Sequence, residues 1–188
     1  MQLLSGVSQT LPAGLYEQAA RYRRQVFVER LGWPLPTFQG MEADQFDRPD
    51  TVYVVAQNDK DEIIGCARLL PTHRPYLLGK VFPQLLNGLP VPCSPDVWEL
   101  SRFAAGRPDD AKDKAGSRSL LNPMLSPIAE PLLRETIRCA AAHGAKRLIT
   151  VSPLGVERLI RRAGIEGRRA GPPVLIEGSP VIACWIDV

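Results

Sequence analysis

Apolar residues recur along the first part of the chain at helical intervals. Leu15, Ala19, Tyr22 and Val26 step by four, three and four. That one-sided stripe predicts a helix over 15–31, with Arg21, Arg23, Arg24 and Arg30 mostly off it. Gly32 and Pro34 supply its stop. The pattern then changes period. Residues 51–57 (TVYVVAQ) and 63–70 are rich in β-branched and apolar residues, and the polar run 58–61 between them predicts a hairpin turn. Residues 97–105 (VWELSRFAA) predict a third strand. Between the second and third strands lies a Pro-rich excursion with a short helical piece at 81–86. Residues 106–118 are polar and predict a mobile loop. A long helix follows over 126–143, opened by Pro127 and stopped by Gly144. A strand at 147–151, a helix at 154–163 ending at Gly164, and strands at 174–176 and 181–186 around Gly178-Ser179-Pro180 complete the chain. Strands joined by a tight turn are antiparallel, so this order predicts an α/β fold with a mixed sheet.

With 188 residues, 45% hydrophobic and 23% charged, the chain fits one globular domain. The net charge is +3 and uneven. Residues 134–169 hold nine Lys and Arg against Glu135, Glu157 and Glu166. That is too weak for a nucleic-acid domain but suits an acidic macromolecular partner, or simply a solvated face. Cys66, Cys93, Cys139 and Cys184 have no disulfide-motif or zinc spacing, and Cys66 and Cys184 lie in apolar runs. No leader pattern and no 18-residue apolar stretch occurs, so a cytoplasmic protein without stable membrane association is expected. Neither GxGxxG nor GxxxxGK[ST] is present, nor a GxSxG elbow. With only His73 and His143, acid–base work falls to carboxylates.

Two polar features stand out. Glu42, Asp44, Asp47 and Asp50 crowd nine residues of loop, in a pattern that fails the EF-hand spacing at Phe46 and Arg48. Glu99, Ser101 and Arg102 interrupt an otherwise apolar strand. Alternation places Glu99 and Ser101 on one face and Leu100 and Arg102 on the other. A charge in a central strand must be paired or must border a cleft. Arg68 in GCARLL raises the same question. One polar cavity or a structural ion-pair network would answer it.

These residues fall into ordered motifs. Arg23-x-x-Val26-Phe27-x-x-x-Leu31-x-Trp33, Met41-Glu42-x-Asp44-Gln45-Phe46-Asp47, Gly65-Cys66-Ala67-Arg68-Leu69-Leu70-Pro71-Thr72 and Trp98-Glu99-Leu100-Ser101-Arg102-Phe103-Ala104 resemble, in order and spacing, the motifs of the autoinducer synthases, the acyl-homoserine-lactone synthases of bacterial quorum sensing. The resemblance implies a single domain over 1–188 with a fold like that of the GCN5-related acyltransferases: a three-layer sandwich, mixed sheet flanked by helices. It implies S-adenosylmethionine and an acyl group on acyl carrier protein as substrates, with no cofactor and no metal.

On that resemblance, Glu99 is the expected general base, with Arg68 and Arg102 in the catalytic set. Arg23, Phe27, Trp33, Asp44, Asp47, Arg68, Arg102 and Phe103 are expected to bind S-adenosylmethionine. Its sulfonium and ammonium match Asp44 and Asp47, while Arg68 or Arg102 holds its carboxylate or fixes the acids. An oxyanion donor is expected from a backbone N–H near residues 102–104, provided the strands splay there. The acyl pocket is expected from Met41, Ser101, Leu121, Met124, Leu125, Leu148, Thr150 and Ser152, with Thr150 matched to a 3-oxo group. Lys146, Arg147, Arg158, Arg161 and Arg162 are expected to dock the acidic carrier protein. The absence of coiled-coil or swapping signals favours a monomer. Two rivals share part of the pattern. A coenzyme A-dependent N-acetyltransferase needs a Gly-rich pyrophosphate turn after the central strand, where this chain reads AAGRPDDAKDKAGSR. A non-catalytic S-adenosylmethionine-binding module would not need Glu99.

Overall fold

The computed structural model describes residues 1–108 and 126–188. The polar loop expected to 118, and Leu121, Met124 and Leu125 of the expected acyl pocket, lie wholly or largely outside these residues.

Strand β1 (Gln2–Val7) pairs antiparallel with β4 (Val52–Gln57), which pairs with β5 (Ile63–Pro71), which pairs with β6 (Val97–Ala105). The next partner, β7 (Arg147–Pro153), runs parallel to β6. Strand β10 (Ser179–Asp187) follows β7 antiparallel and carries β8 (Gly167–Arg169) and β9 (Val174–Ile176). The sheet is therefore mixed. A separate ribbon joins β2 (Thr37–Phe38) to β3 (Met41–Glu42). The β9–β10 hairpin turns through Glu177 and Gly178, at φ 48° and 77°, the two left-handed positions a tight hairpin demands.

Helices α3 (Ala129–Ala142) and α4 (Gly155–Arg162) cover one face. Leu132, Leu133, Val156, Leu159 and Ile160 pack there on Val54, Leu69, Leu100, Leu148 and Ile182. The other face carries α1 (Leu15–Arg23), a π-helical continuation (Arg24–Arg30), the acidic loop and the short α2 (Leu77–Val81). The result is three layers, helix on sheet on helix.

Several boundaries differ from the sequence reading. Residues 15–30 are one α and one π segment, so Arg23 falls on the buried stripe, four residues from both Ala19 and Phe27, and not off it. The helical piece expected at 81–86 divides into α2 and a 3₁₀ turn (Pro83–Leu86). Helix α3 starts at Ala129 because Ser126 first closes a turn, its Oγ accepting from Ile128 N at 3.3 Å. Strands β1 and β8 and the β2–β3 ribbon carry no apolar alternation and were not expected.

Candidate active site

Two irregularities in β6 create the site. First, the register with β5 slips by one residue between Cys66–Ala104 and Arg68–Ser101. The extra residue is a bulge, and Arg102 within it stands at φ 51°. A left-handed first residue is the mark of a bulge type that ordinarily uses glycine. The bulge corrects the alternation expected for this strand: Arg102 turns to the same side as Arg68 and Ser101. Second, the parallel pairing of β6 with β7 ends at Leu100–Thr150, although β6 continues to Ala105 and β7 to Pro153. Beyond that pair the two strands part.

On the α1 side, six charged side chains interlock. Asp47 accepts from Arg23 at two points, Nη1 to Oδ1 at 2.7 Å and Nη2 to Oδ2 at 2.9 Å. It also accepts from Arg68 Nη1 at 3.1 Å and Tyr53 Oη at 2.9 Å. Asp44 accepts from Arg68 Nη1 at 2.7 Å and Arg102 Nη2 at 2.9 Å. Glu42 accepts from Arg23 Nε at 2.5 Å and Arg102 Nη2 at 3.0 Å. Arg68 Nε donates to Ser101 Oγ at 3.0 Å. Three guanidiniums thus face three carboxylates, and the cluster is internally neutral. Burial acts against the charged form of Asp47, but its arginine partners outweigh this and hold the carboxyl below its usual range.

Three of these residues, Asp44, Ser101 and Arg102, border a cleft of about 770 Å³. Asp44, Arg102, Ser101, Phe103, Phe27 and Trp33 line one end. Phe27 and Trp33 stack at 5.1 Å, and the Arg102 guanidinium lies 5.7 Å from the Phe27 ring centre. Leu77, Val81 and Phe82 come from α2 and the residue after it; Thr150–Pro153 and Val181 come from the far side of the parted strands. Asp47, Arg23 and Arg68, all expected to meet the substrate, are not in the lining; their side chains are buried and reach Asp44 only through the ion cluster. The negative charge expected from the pair Asp44 and Asp47 is therefore presented to the cleft by Asp44 alone.

Glu99 is fully buried and stands apart from the ion cluster. Its Oε1 accepts from Leu78 N at 2.6 Å and its Oε2 from Leu77 N at 3.0 Å, which fixes the start of α2. Desolvation pushes this carboxyl up to about 7, although both amides and the nearby Arg68 and Arg102 pull the other way. Among the expected acyl-pocket residues, Ser101, Thr150 and Ser152 line the cleft, and the Thr150 and Ser152 hydroxyls lie 3.2 Å apart. Met41 and Leu148 do not line it: Met41 sits in the β2–β3 ribbon and Leu148 packs in the core under α3 and α4.

The basic residues are spread out. Lys146 pairs with Asp96 at 2.8 Å and Arg147 lies over Trp185 at 4.9 Å. They sit seven and six residues from Pro153, roughly 20 Å from the parted strand ends at the usual strand rise. Arg158, on the first turns of α4, is closer to that end; Arg161 and Arg162 close the helix. Glu42 and Tyr53 were missed as site residues. The signal for Glu42 was the acidic run itself, and for Tyr53 a hydroxyl inside the otherwise apolar run 52–56.

The sequence profile of the family described as autoinducer synthase matches residues 9–188. An acyl-homoserine-lactone synthase of Acinetobacter nosocomialis is 52% identical over 191 residues, covering 100% of both chains. One from Ralstonia solanacearum is 50% identical, covering 95% of this chain and 84% of its own. The crystal structure of TofI in a ternary complex with an inhibitor and MTA superposes with TM-score 0.81 at 46% identity, covering 100% of this chain and 91% of that one. The CoA-dependent acyl-homoserine lactone synthase BjaI, with SAM and isopentyl-CoA, gives TM-score 0.80 at 27% identity, covering 99% and 82%. An acyl-CoA N-acyltransferase from Pseudomonas aeruginosa, 14% identical over 98% of this chain and 97% of its own, shares the fold alone, with TM-score 0.63. The acyltransferase-like fold expected from the sequence is the fold observed.

Proposed function

Because the chain belongs to the autoinducer synthase family and is an acyltransferase, we propose that residues 1–188 act as one domain that makes an N-acyl-homoserine lactone from S-adenosylmethionine and acyl carrier protein bearing an acyl thioester. The observation that carries this reading is the cleft itself: a polar and aromatic end at Asp44, Arg102, Phe27 and Trp33, continuous with a path between β6 and β7. The first end suits the sulfonium and carboxylate of S-adenosylmethionine. The second suits an acyl chain.

The substrate ammonium first gives a proton to Glu99, through a water because Glu99 does not border the cleft. A carboxyl near neutrality accepts it readily. The freed amine attacks the thioester carbonyl, a β6 backbone N–H beside the bulge steadies the oxyanion, and the carrier thiolate leaves, taking up the second proton that the nitrogen sheds as the amide forms. The substrate carboxylate then attacks its own γ-carbon. The C–S bond breaks toward sulfur, so the sulfonium departs as neutral methylthioadenosine and the lactone closes. Arg102 holds the carboxylate until then, and Arg68 keeps Asp44 in place. Thr150 and Ser152 border the first carbons of the acyl chain, and Thr150 is suited to a 3-oxo group.

Carrier protein is favoured as donor by the exposed arginines of α4, Arg158 foremost by position. The coenzyme A donor of BjaI is the alternative. The test is mass spectrometry of reactions with S-adenosylmethionine and a panel of acyl carrier proteins and acyl-coenzyme A thioesters. Lactone with methylthioadenosine is expected, faster from carrier protein. Acylation without lactone, or no product from any donor, would overturn the reading.

A further inference from the structure

Arg102 holds its side chain in the site only because its backbone adopts a conformation costly for any residue with a Cβ. A non-glycine at φ 51° is disfavoured and persists only where its surroundings over-determine it. One restraint is on the side chain, through Glu42 and Asp44. The other is on the backbone. Cys66 lies on β5 at the last paired position before the bulge, opposite Ala104. Its Sγ is 3.3 Å from the Arg102 carbonyl oxygen. The thiol is buried among Tyr22, Val26, Phe27 and Ala104. Burial also keeps it protonated, so it retains the hydrogen it donates.

We propose that Cys66 is a positioning residue: its thiol pins the Arg102 carbonyl, holds the β6 bulge in its left-handed conformation, and so sets where the Arg102 guanidinium meets substrate. The kinetic part of this rests on the function proposed above; the structural part does not. The bond joins a strand that does not border the cleft to a residue that does, at the one point where the β5–β6 ladder slips. With the pin removed, the bulge relaxes toward ordinary strand geometry. Arg102 then turns toward the opposite face, as plain alternation would place it. Cys66 also touches the Phe27 cluster, so packing is the rival explanation.

The pair Cys66→Ala and Cys66→Ser separates the two. The residues are nearly equal in size, and both lose the bulk of sulfur. Only serine can donate to the Arg102 carbonyl. If the pin operates, serine restores function: KM for S-adenosylmethionine rises about tenfold in Cys66→Ala and stays within about threefold of the parent in Cys66→Ser. If only packing matters, the buried serine hydroxyl makes Cys66→Ser equal to or worse than Cys66→Ala, and the proposal is overturned. A second readout needs no turnover. The backbone amide resonances of Arg102 and Phe103 in ¹⁵N spectra should move in Cys66→Ala and return in Cys66→Ser. Unmoved resonances in a folded Cys66→Ala protein would overturn the pin whatever the reaction is. Moved resonances with no lactone from any donor would keep the pin and reject the function.

Discussion

Glu99 accepts the backbone N–H of Leu78 at 2.6 Å, and its other oxygen takes the preceding amide, that of Leu77. This carboxylate anchors α2, which supplies Leu77 and Val81 to the cleft wall, and in the proposed reaction it has a second task, to take a proton. Glu99→Gln removes the basicity and turns an NH₂ toward one of the two amides. Turnover should fall by about 10²–10⁴-fold, the usual worth of a general base. S-adenosylmethionine affinity, followed by calorimetry, should change far less. Full turnover in Glu99→Gln would rule out the general-base assignment.

The same group fixes a pH dependence. Its carboxyl stands at about 7 in the folded protein against 4.5 unperturbed. The basic form is lost below pH 7, so kcat/KM should fall about tenfold per unit there, in a limb absent from residual Glu99→Gln activity. Its effect on stability has the opposite sense. Between 4.5 and 7 the folded state holds a proton that the unfolded state has released, so this group's contribution declines as pH rises through that window. Urea midpoints should favour Glu99→Gln over the parent increasingly from pH 5 to 7 and level off above.

Asp47 and Asp44 should separate cleanly. Asp47 is buried behind the cleft with two arginines and Tyr53 upon it, so Asp47→Asn strands buried guanidinium charge and should cost about 3–5 kcal/mol in a urea melt. Its depressed carboxyl also makes the stabilisation it brings complete above pH 4 and lost as pH falls further. Asp44 is the one that reaches the cleft, so Asp44→Asn should weaken S-adenosylmethionine binding more than it lowers the melting midpoint. Equal effects of both variants on both readouts would contradict this division.

Arg158→Glu should raise KM for acyl carrier protein several-fold, more at low than at high salt, and leave KM for S-adenosylmethionine in place. Lys146→Glu, some 20 Å along β7 from the parted end, should do much less. The reverse order would move the docking face to the other end of the strand.

Much of this architecture was legible because the central strands are buried on both faces and read as apolar runs. Residues 97–105 came out with the observed bounds. What misled was local backbone geometry. Arg102 was placed on the wrong face because a bulge leaves no mark when arginine takes the position glycine usually fills. Arg23 was read as off the helix stripe because a charged residue counts against a buried face, unless its partners, here Glu42 and Asp47, lie far away in sequence. Strand β1 (QLLSGV) has no alternation because it is an edge strand, half exposed along its length. The motifs single out residues that the fold brings together around the cleft; which of the two aspartates faces it depends on loop geometry that residue identity does not encode.

The parting of β6 from β7 divides labour between the two layers of helices. In the proposed reaction, a substrate threaded through that gap would have its charged head among residues carried by α1 and the acidic loop. Its tail would emerge beside Thr150 and Ser152, which alternate onto the same face as Leu148, the face packed by α3 and α4. On that proposal the chemistry and the choice of tail are built from different parts of the chain. Exchanging residues on the α3–α4 side should retune which signal is made while the lactone-forming end continues to work, so that one scaffold can speak in many acyl dialects.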